Sequence, residues 1–249
     1  MLRLLIRKAR AGGVNNANQP FAPGIPATFG SDNLTNWEGG IKSRLFGNTL
    51  QVNTSVFFID WNNIQVEPRD PAGNIPFTTN GGDAQIRGAE WALEWAPADR
   101  WNFSFSGDYF FKSELSTDQP VLPGASPFVI VGLAGDRIPN VPKLQFYASA
   151  NYEASLFGKP LFLTTDITHR GSTNTEFRTS SPFNIALDSY TLVDLYARLQ
   201  VSDRVAFGIY AKNVTNSLGV VDGIGTFQDP QAIIATRPRT MGATISFKY

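Results

Sequence analysis

From Trp101 the chain alternates between large apolar and polar side chains. Trp101, Phe103, Phe105, Tyr109 and Phe111 interleave with Asn102, Ser104, Ser106, Asp108 and Lys112. Successive side chains of a strand point to opposite sides, so this period predicts a strand with one apolar and one polar face. The last ten residues repeat the pattern. Met241, Ala243, Ile245, Phe247 and Tyr249 fall on one side, and Thr240, Gly242, Thr244, Ser246 and Lys248 on the other. Either segment alone fits a half-buried strand of a soluble sheet. Strands of about ten residues, apolar outside, polar inside and ending in an aromatic, are also the unit of a transmembrane β-barrel. The rest of the chain decides between the two.

Turn signals cut the sequence into about ten such segments, and none has a helical period. The first, 2–10, is weak and leads into a Gly/Asn/Pro-rich loop over 12–32. The second, 34–45, turns at Phe46-Gly47-Asn48 into the third, 50–65, where Leu50, Val52, Val56 and Phe58 oppose Gln51, Asn53 and Ser55. The fourth, 85–95, sets Ala89, Trp91, Leu93 and Trp95 against Glu90, Ala92 and Glu94, and Pro97-Ala98-Asp99-Arg100 turns it into the strand from Trp101. The sixth sets Leu144, Phe146, Ala148, Ala150 and Tyr152 against Gln145, Tyr147, Ser149, Asn151 and Glu153. A turn at 156–160 leads to the seventh, with Leu161, Leu163 and Ile167 opposite Thr164, Asp166 and Thr168. The eighth sets Val193, Leu195, Ala197 and Leu199 against Asp194, Tyr196, Arg198 and Gln200; 201–204 is short, and 205–212 is the ninth.

The connections alternate between long and short as far as the C-terminus. Soluble sandwiches have no reason to sort their loops this way, whereas an outer-membrane barrel has short periplasmic turns and long extracellular loops. A polar face with many unpartnered residues also suits a wet lumen better than a packed core. The expected fold is therefore all-β, an antiparallel transmembrane β-barrel portion of about ten strands. The terminal strand follows a long loop, so it descends, with Tyr249 at the periplasmic rim and Trp101 and Tyr152 in the periplasmic aromatic girdle. Composition agrees. Charged residues are 17% of the chain, below the roughly 25% usual for soluble domains. No apolar run approaches the ~20 residues of a membrane helix. The 21 basic and 21 acidic residues give no electrostatic case for nucleic acid, and the lack of cysteine removes thiolate sites and disulfides.

Several stretches carry a family likeness. Asn36-Trp37-Glu38-Gly39-Gly40-Ile41-Lys42-Ser43, the run from Phe57 through Asp60-Trp61 to Gln65, and Asn80-Gly81-Gly82 with Arg87-Gly88-Ala89-Glu90 follow one another in order. They are joined by Arg10-Ala11-Gly12-Gly13-Val14-Asn15, Arg137-Ile138-Pro139-Asn140-Val141-Pro142-Lys143, Ala211-Lys212-Asn213-Val214-Thr215-Asn216, and the terminal Ile245, Phe247 and Tyr249. Together they resemble the C-terminal part of the TonB-dependent outer-membrane receptors. The resemblance implies a 22-stranded barrel around a plug domain, in the outer membrane of a Gram-negative cell. It implies energy-coupled uptake of ferric siderophores or similarly bulky nutrients and no cofactor. The implied partners are outer-membrane lipid, the barrel-assembly machinery that reads the terminal strand, and the TonB energy-coupling complex, reached through the plug. The sequence departs from the family in showing no plug, no coupling segment and only about ten strands, with Ala9 where an aromatic is usual. The expectation is a C-terminal portion of a longer receptor over 1–249, with Met1 an internal or misassigned start.

No reaction is expected of such a chain, and no catalytic, cofactor or metal residue is assigned. The competing reading is a complete ten-stranded outer-membrane enzyme such as a surface protease, which needs His169 to meet acidic residues at the outer rim. The single histidine, three residues after Asp166, otherwise reads as a rim residue. Asp60 and Trp61 are candidates for ligand contact at the mouth, or an interface tryptophan and a strand-end cap. Glu90, Glu94, Asp108, Lys112, Arg198 and Lys248 are expected to face the lumen, either gripping a plug or solvated. Gly223, Gly225 and Thr226 lack the helix a phosphate loop needs, and Arg69, Asp70, Asp136, Arg137 and Asp222 read as ordinary loop charges.

Overall fold

The computed structural model describes residues 2–15, 25–67, 77–121, 131–224 and 232–248; Tyr249, Arg69, Asp70, Gly225 and Thr226 lie outside them. Ten long strands follow in order: β1 (Leu2–Arg10), β2 (Asp32–Leu45), β3 (Leu50–Asn62), β4 (Ala84–Ala98), β5 (Trp101–Leu115), β6 (Leu144–Leu156), β7 (Lys159–Arg170), β8 (Tyr190–Ser202), β9 (Val205–Lys212) and β10 (Thr240–Phe247). Each pairs antiparallel with the next, in one sheet whose spatial order is the sequence order. β1 and β10 are its two ends and do not pair with each other, so the sheet is an open wall and not a closed barrel.

The turns explain the sorting of the loops. One end of the sheet is closed by tight hairpins, and Phe157 and Gly158 both have positive φ (52° and 71°). That pair has the backbone of a type I′ turn, whose twist matches that of the flanking strands. At the other end, residues 63–83, 116–143, 171–189 and 213–239 form the long connections, as the loop pattern predicts. They carry short ribbons of their own, including Gln65–Val66 with Thr79–Asn80 and Val220–Ile224 with Ala232–Ala235.

The two faces of the wall differ as the alternation requires. In β8–β10 the rows Leu195–Ala211–Met241, Ala197–Ile209–Ala243 and Leu199–Phe207–Ile245 run along one face. These side chains find no core: Met241 is 68% exposed and Ile209 64%. The packed apolar cluster lies instead at the loop end, where Ile64, Ala84 and Leu115 are buried against Trp61, Val66, Ile138 and Phe177. A sheet with its apolar face open and its packed cluster in its loops is built for a lipid surround. On the other face two aromatic rings fill the space over glycines: Phe57 lies over Gly88 and Tyr210 over Gly242, where any Cβ would collide.

β1 is the exception. Its register puts Leu4 and Ile6 on the polar face, opposite Glu38 and Asn36, and Arg7 on the apolar one. Asn36 Oδ1 is buried there without a hydrogen-bond partner. A one-residue slip would reverse every one of these placements. The weak periodicity of 2–10 and the missing aromatic at Ala9 are the sequence counterpart of this mismatch.

Candidate functional site

The candidate site is the polar face of the wall and the loop end above it. Gly40, Ser55, Glu90, Asp108, Gln145 and Arg170 form one row across six strands, and Arg44, Gln51, Glu94, Ser104, Ser149, Asp166 and Asp194 a second. Glu38, Lys42, Asn53, Glu90 and Asp108 line a recess of about 450 Å³ on this face. Asp108 accepts from the Gln145 side chain at 2.8 Å through Oδ2, while Oδ1 is buried with no partner. Further along, Asp166 and Asp194 stand directly opposite each other. Like charges so placed repel, and tyrosine hydroxyls temper this: Tyr147 donates to Asp166 at 2.8 Å and Tyr196 to Asp194 at 3.2 Å. The backbone N–H of Asn213 adds a third donor, to Asp194 at 2.7 Å. The face can thus hold polar or charged groups along its length. Glu90, Glu94, Asp108 and Arg198 lie on it as expected, and the backbone N–H of Lys248 still donates to Arg204, which continues the lumenal parity of Ser246.

Lys112 does not. Gly88 pairs with Phe110 but Arg87 with Lys112, so Phe111 is an extra residue in β5. A β-bulge of this kind shifts the alternation by one. Lys112 moves to the outward face, where its ammonium meets Glu114 at 2.9 Å. Simple alternation from Trp101 misses this, because nothing in Phe110-Phe111 announces the bulge.

His169 also faces outward. It shares the row of Phe146 and Thr191, stacks on the Phe146 ring at 5.1 Å, and its Nδ1 lies 2.9 Å from the Thr191 hydroxyl. Asp166 is on the opposite face, so the two cannot form a dyad. Asp60 and Trp61 likewise part company. Asp60 faces outward opposite Gln85, with Oδ1 buried and unpartnered. Trp61 turns inward and is neither an interface tryptophan nor a free contact at the mouth: its Nε1 donates to Asp32 at 2.9 Å. Asp32, only 2% exposed, also receives the Arg10 guanidinium on Oδ2 and the Arg10 backbone N–H on Oδ1. Arg10 opens one of the family-like stretches, but nothing in the local sequence ties it to Asp32, since the two meet only through the pairing of β1 with β2.

The loops are fastened by asparagines. The Asn80 side chain accepts from Gly30 N–H at 2.6 Å and donates to Gly30 and Asn63 carbonyls, tying the 63–83 loop to the start of β2. Asn15 clips Thr78 by both its amide groups. Asn213, 4% exposed, donates to Ser217 and Arg237 carbonyls and closes the base of the last loop. Arg170 reaches the carbonyls of Val221 and Asn140, joining three loops. Of the loop charges, Asp136 pairs with Arg178 at 3.4 Å, Arg137 donates to the Val141 carbonyl, and Asp222 accepts from Gly223. These interactions shape the rim and leave each of those side chains engaged. Among the described residues, no group of three or more His, Asp or Glu side chains is placed to hold a metal.

No curated protein matches the chain in sequence. Solved structures match its fold: the ferric yersiniabactin uptake receptor FyuA from Yersinia pestis (15% identity, TM-score 0.74, covering 99% of this chain and 34% of that one), the siderophore receptor PiuA from Acinetobacter baumannii (18%, 0.73, 99% and 33%), and BauA, the ferric preacinetobactin receptor of the same organism (21%, 0.66, 98% and 33%). The chain spans about a third of the length of these structures. At such identities the likeness is one of fold. The family model for the TonB-dependent receptor-like β-barrel matches residues 10–216, most of the chain and the stretch carrying nearly all the motifs that suggested it. The chain belongs to the TonB-dependent receptor-like β-barrel family.

Proposed function

We propose that the chain forms part of the wall of an outer-membrane receptor for energy-coupled uptake of ferric siderophores or similarly bulky nutrients. The observation that carries this is the sheet itself. Ten sequential antiparallel strands, apolar outward and polar inward, have tight turns at one end and knitted loops at the other. In lipid the free edges of β1 and β10 cannot stay open, because every unpaired backbone group there costs several kcal/mol. We read the remaining wall, together with a plug and its coupling segment, as supplied from beyond this chain. The family membership and the three receptors named above support iron-carrier uptake as the activity. The competing enzyme reading loses its centre, since His169 and Asp166 lie on opposite faces.

The test is uptake of a panel of radiolabelled ferric siderophores by iron-starved cells, with and without the gene that encodes the chain. Loss of uptake of at least one ferric siderophore, restored by the gene, is the expected result. Unchanged uptake of every compound would count against the reading. Purified in detergent, the isolated chain is expected not to form a heat-modifiable closed barrel; a compact heat-modifiable monomer would favour a self-sufficient ten-stranded protein.

A further inference from the structure

The outward face carries cations close to its loop end. Arg87 and Lys112 stand directly opposite each other across β4 and β5, a position in which like charges repel. Lys112 is answered by Glu114 at 2.9 Å and by Gln85, whose side-chain oxygen lies at 3.2 Å. Arg87 is not. Among the described residues no carboxylate pairs with it, and its guanidinium lies 4.5 Å over the Phe58 ring. A third cation, Lys143, places its ammonium 5.5 Å from the Tyr109 ring, and Tyr109 pairs with Ala89, two residues along β4 on the face of Arg87.

The level of these residues is informative. Toward the turns the next outward row is Gly39, Val56, Ala89 and Tyr109; toward the loops it is Thr35, Asp60, Gln85 and Glu114. Arg87 and Lys112 therefore sit where the outward face changes from apolar to polar. Trp37 and Phe58 share their row, 5.3 Å apart, and Tyr109 stands one row toward the turns with its ring 5.4 Å from that of Phe111. Aromatic rings at such a boundary mark the headgroup level of a bilayer.

The geometry points to a subsite, formed by Arg87, Lys112 and Lys143, for the phosphorylated headgroup of an outer-leaflet lipid. A phosphate between Arg87 and Lys112 turns their repulsion into two attractions, with the Glu114 carboxylate giving up its 2.9 Å contact with Lys112 to make room for it. The guanidinium offers a planar fork of N–H donors to two phosphate oxygens. The rings of Phe58 and Tyr109 provide the apolar floor on which the upper acyl chain lies. This rests on the membrane reading above, because it takes the apolar face to be the lipid face.

The test uses the full receptor containing this chain, extracted from outer membranes in mild detergent and delipidated. It is titrated with bis-phosphorylated lipid A, with the same lipid stripped of its phosphates, and with inorganic phosphate, and bound lipid is counted by native mass spectrometry. The double variant Arg87→Gln/Lys112→Gln is expected to weaken lipid A binding roughly 25-fold, about fivefold for each cation. Lys159→Gln, which removes an outward cation at the opposite end of the wall, leaves binding unchanged. Arg87→Lys keeps most of it, which separates lost charge from lost fold. Equal binding by the double variant, equal binding of the dephosphorylated lipid, or displacement by equimolar inorganic phosphate would each overturn the proposal. Absence of the protein from the outer-membrane fraction would overturn the membrane reading itself, whereas membrane recovery with unchanged lipid binding would overturn the subsite alone.

Discussion

Trp101 and Tyr152 face each other across β5 and β6 and stack with ring centroids 4.3 Å apart. Phe103 lies 5.4 Å from Trp101 and 5.5 Å from Trp95, so four rings form a continuous band at the turn end of the wall. Two ring contacts of Trp101, each worth about 0.5–1.5 kcal/mol beyond area burial, predict a loss of about 2 kcal/mol for Trp101→Ala. Trp101→Phe should recover about half of it. Chemical unfolding of the full receptor in micelles measures both, and an unchanged midpoint for Trp101→Ala would remove the band from the list of stabilising features.

The two faces of the wall predict opposite responses to the same substitution. Leu195 lies near the middle of β8 on the outward face, and Thr164 near the middle of β7 on the inward face, where its hydroxyl donates to Asn151. An arginine on the lipid side at mid-depth costs about 2–4 kcal/mol, whereas a lumen substitution costs little. Leu195→Arg should therefore lower folding yield into bilayers sharply, and Thr164→Arg should not. Reversed effects would mean that the faces are assigned the wrong way round, and equal effects that the wall does not separate lipid from lumen.

What the sequence made legible follows from the period-two rule, which needs nothing but the strand itself. Strand β9 and the shared outward face of Trp101, Phe103 and Phe105 follow from it directly. Wherever the rule is broken by a partner, it fails. Lys112 changed faces because Phe111 is an extra residue opposite β4, and only the pairing reveals that. Trp61 looked like an interface residue because tryptophans at strand ends often are, but it turned inward to meet Asp32, twenty-nine positions earlier. The lumenal Asp166–Asp194 opposition is invisible for the same reason: it is a property of register between two strands, not of either one. The alternation of long and short connections gave the orientation of the wall, and the family likeness added what no pattern could, namely the plug and the class of ligand that it implies.

At the rim, Asp32 is the residue on which three groups converge. Replacing it by Asn keeps the shape but removes the charge that the Arg10 guanidinium faces. Hydrogen bonds to charged groups are worth about 1.5–3 kcal/mol, and Arg10 is half exposed, so about 2 kcal/mol is the expected cost, felt locally where β1 meets β2. Faster hydrogen exchange at the Arg10 amide and the Trp61 indole should report it, with β6 and β7 unaffected. Asp32→Asn exchange matching the parent would show that Arg10 and Trp61 are held by other contacts.

The free edge of β10 gives the sharpest test of what lies beside it in the membrane. The backbone N–H of Lys248 donates to the Arg204 carbonyl, back toward β9. Donors alternate along a strand, so the amides of Thr240, Gly242, Thr244 and Ser246 point the same way, and those of Met241, Ala243, Ile245 and Phe247 point out to the open edge. In the isolated chain in detergent the second set should exchange with solvent far faster than the first. In the receptor embedded in its membrane both sets should be protected, because an unpaired amide in hydrocarbon is too costly to persist. Fast exchange of the odd-numbered amides in both settings would show that no strand lies beside β10, and the wall would have to be closed in some other way. Protection of both sets in the isolated chain would show instead that ten strands, or a second copy of them, suffice to cover this edge.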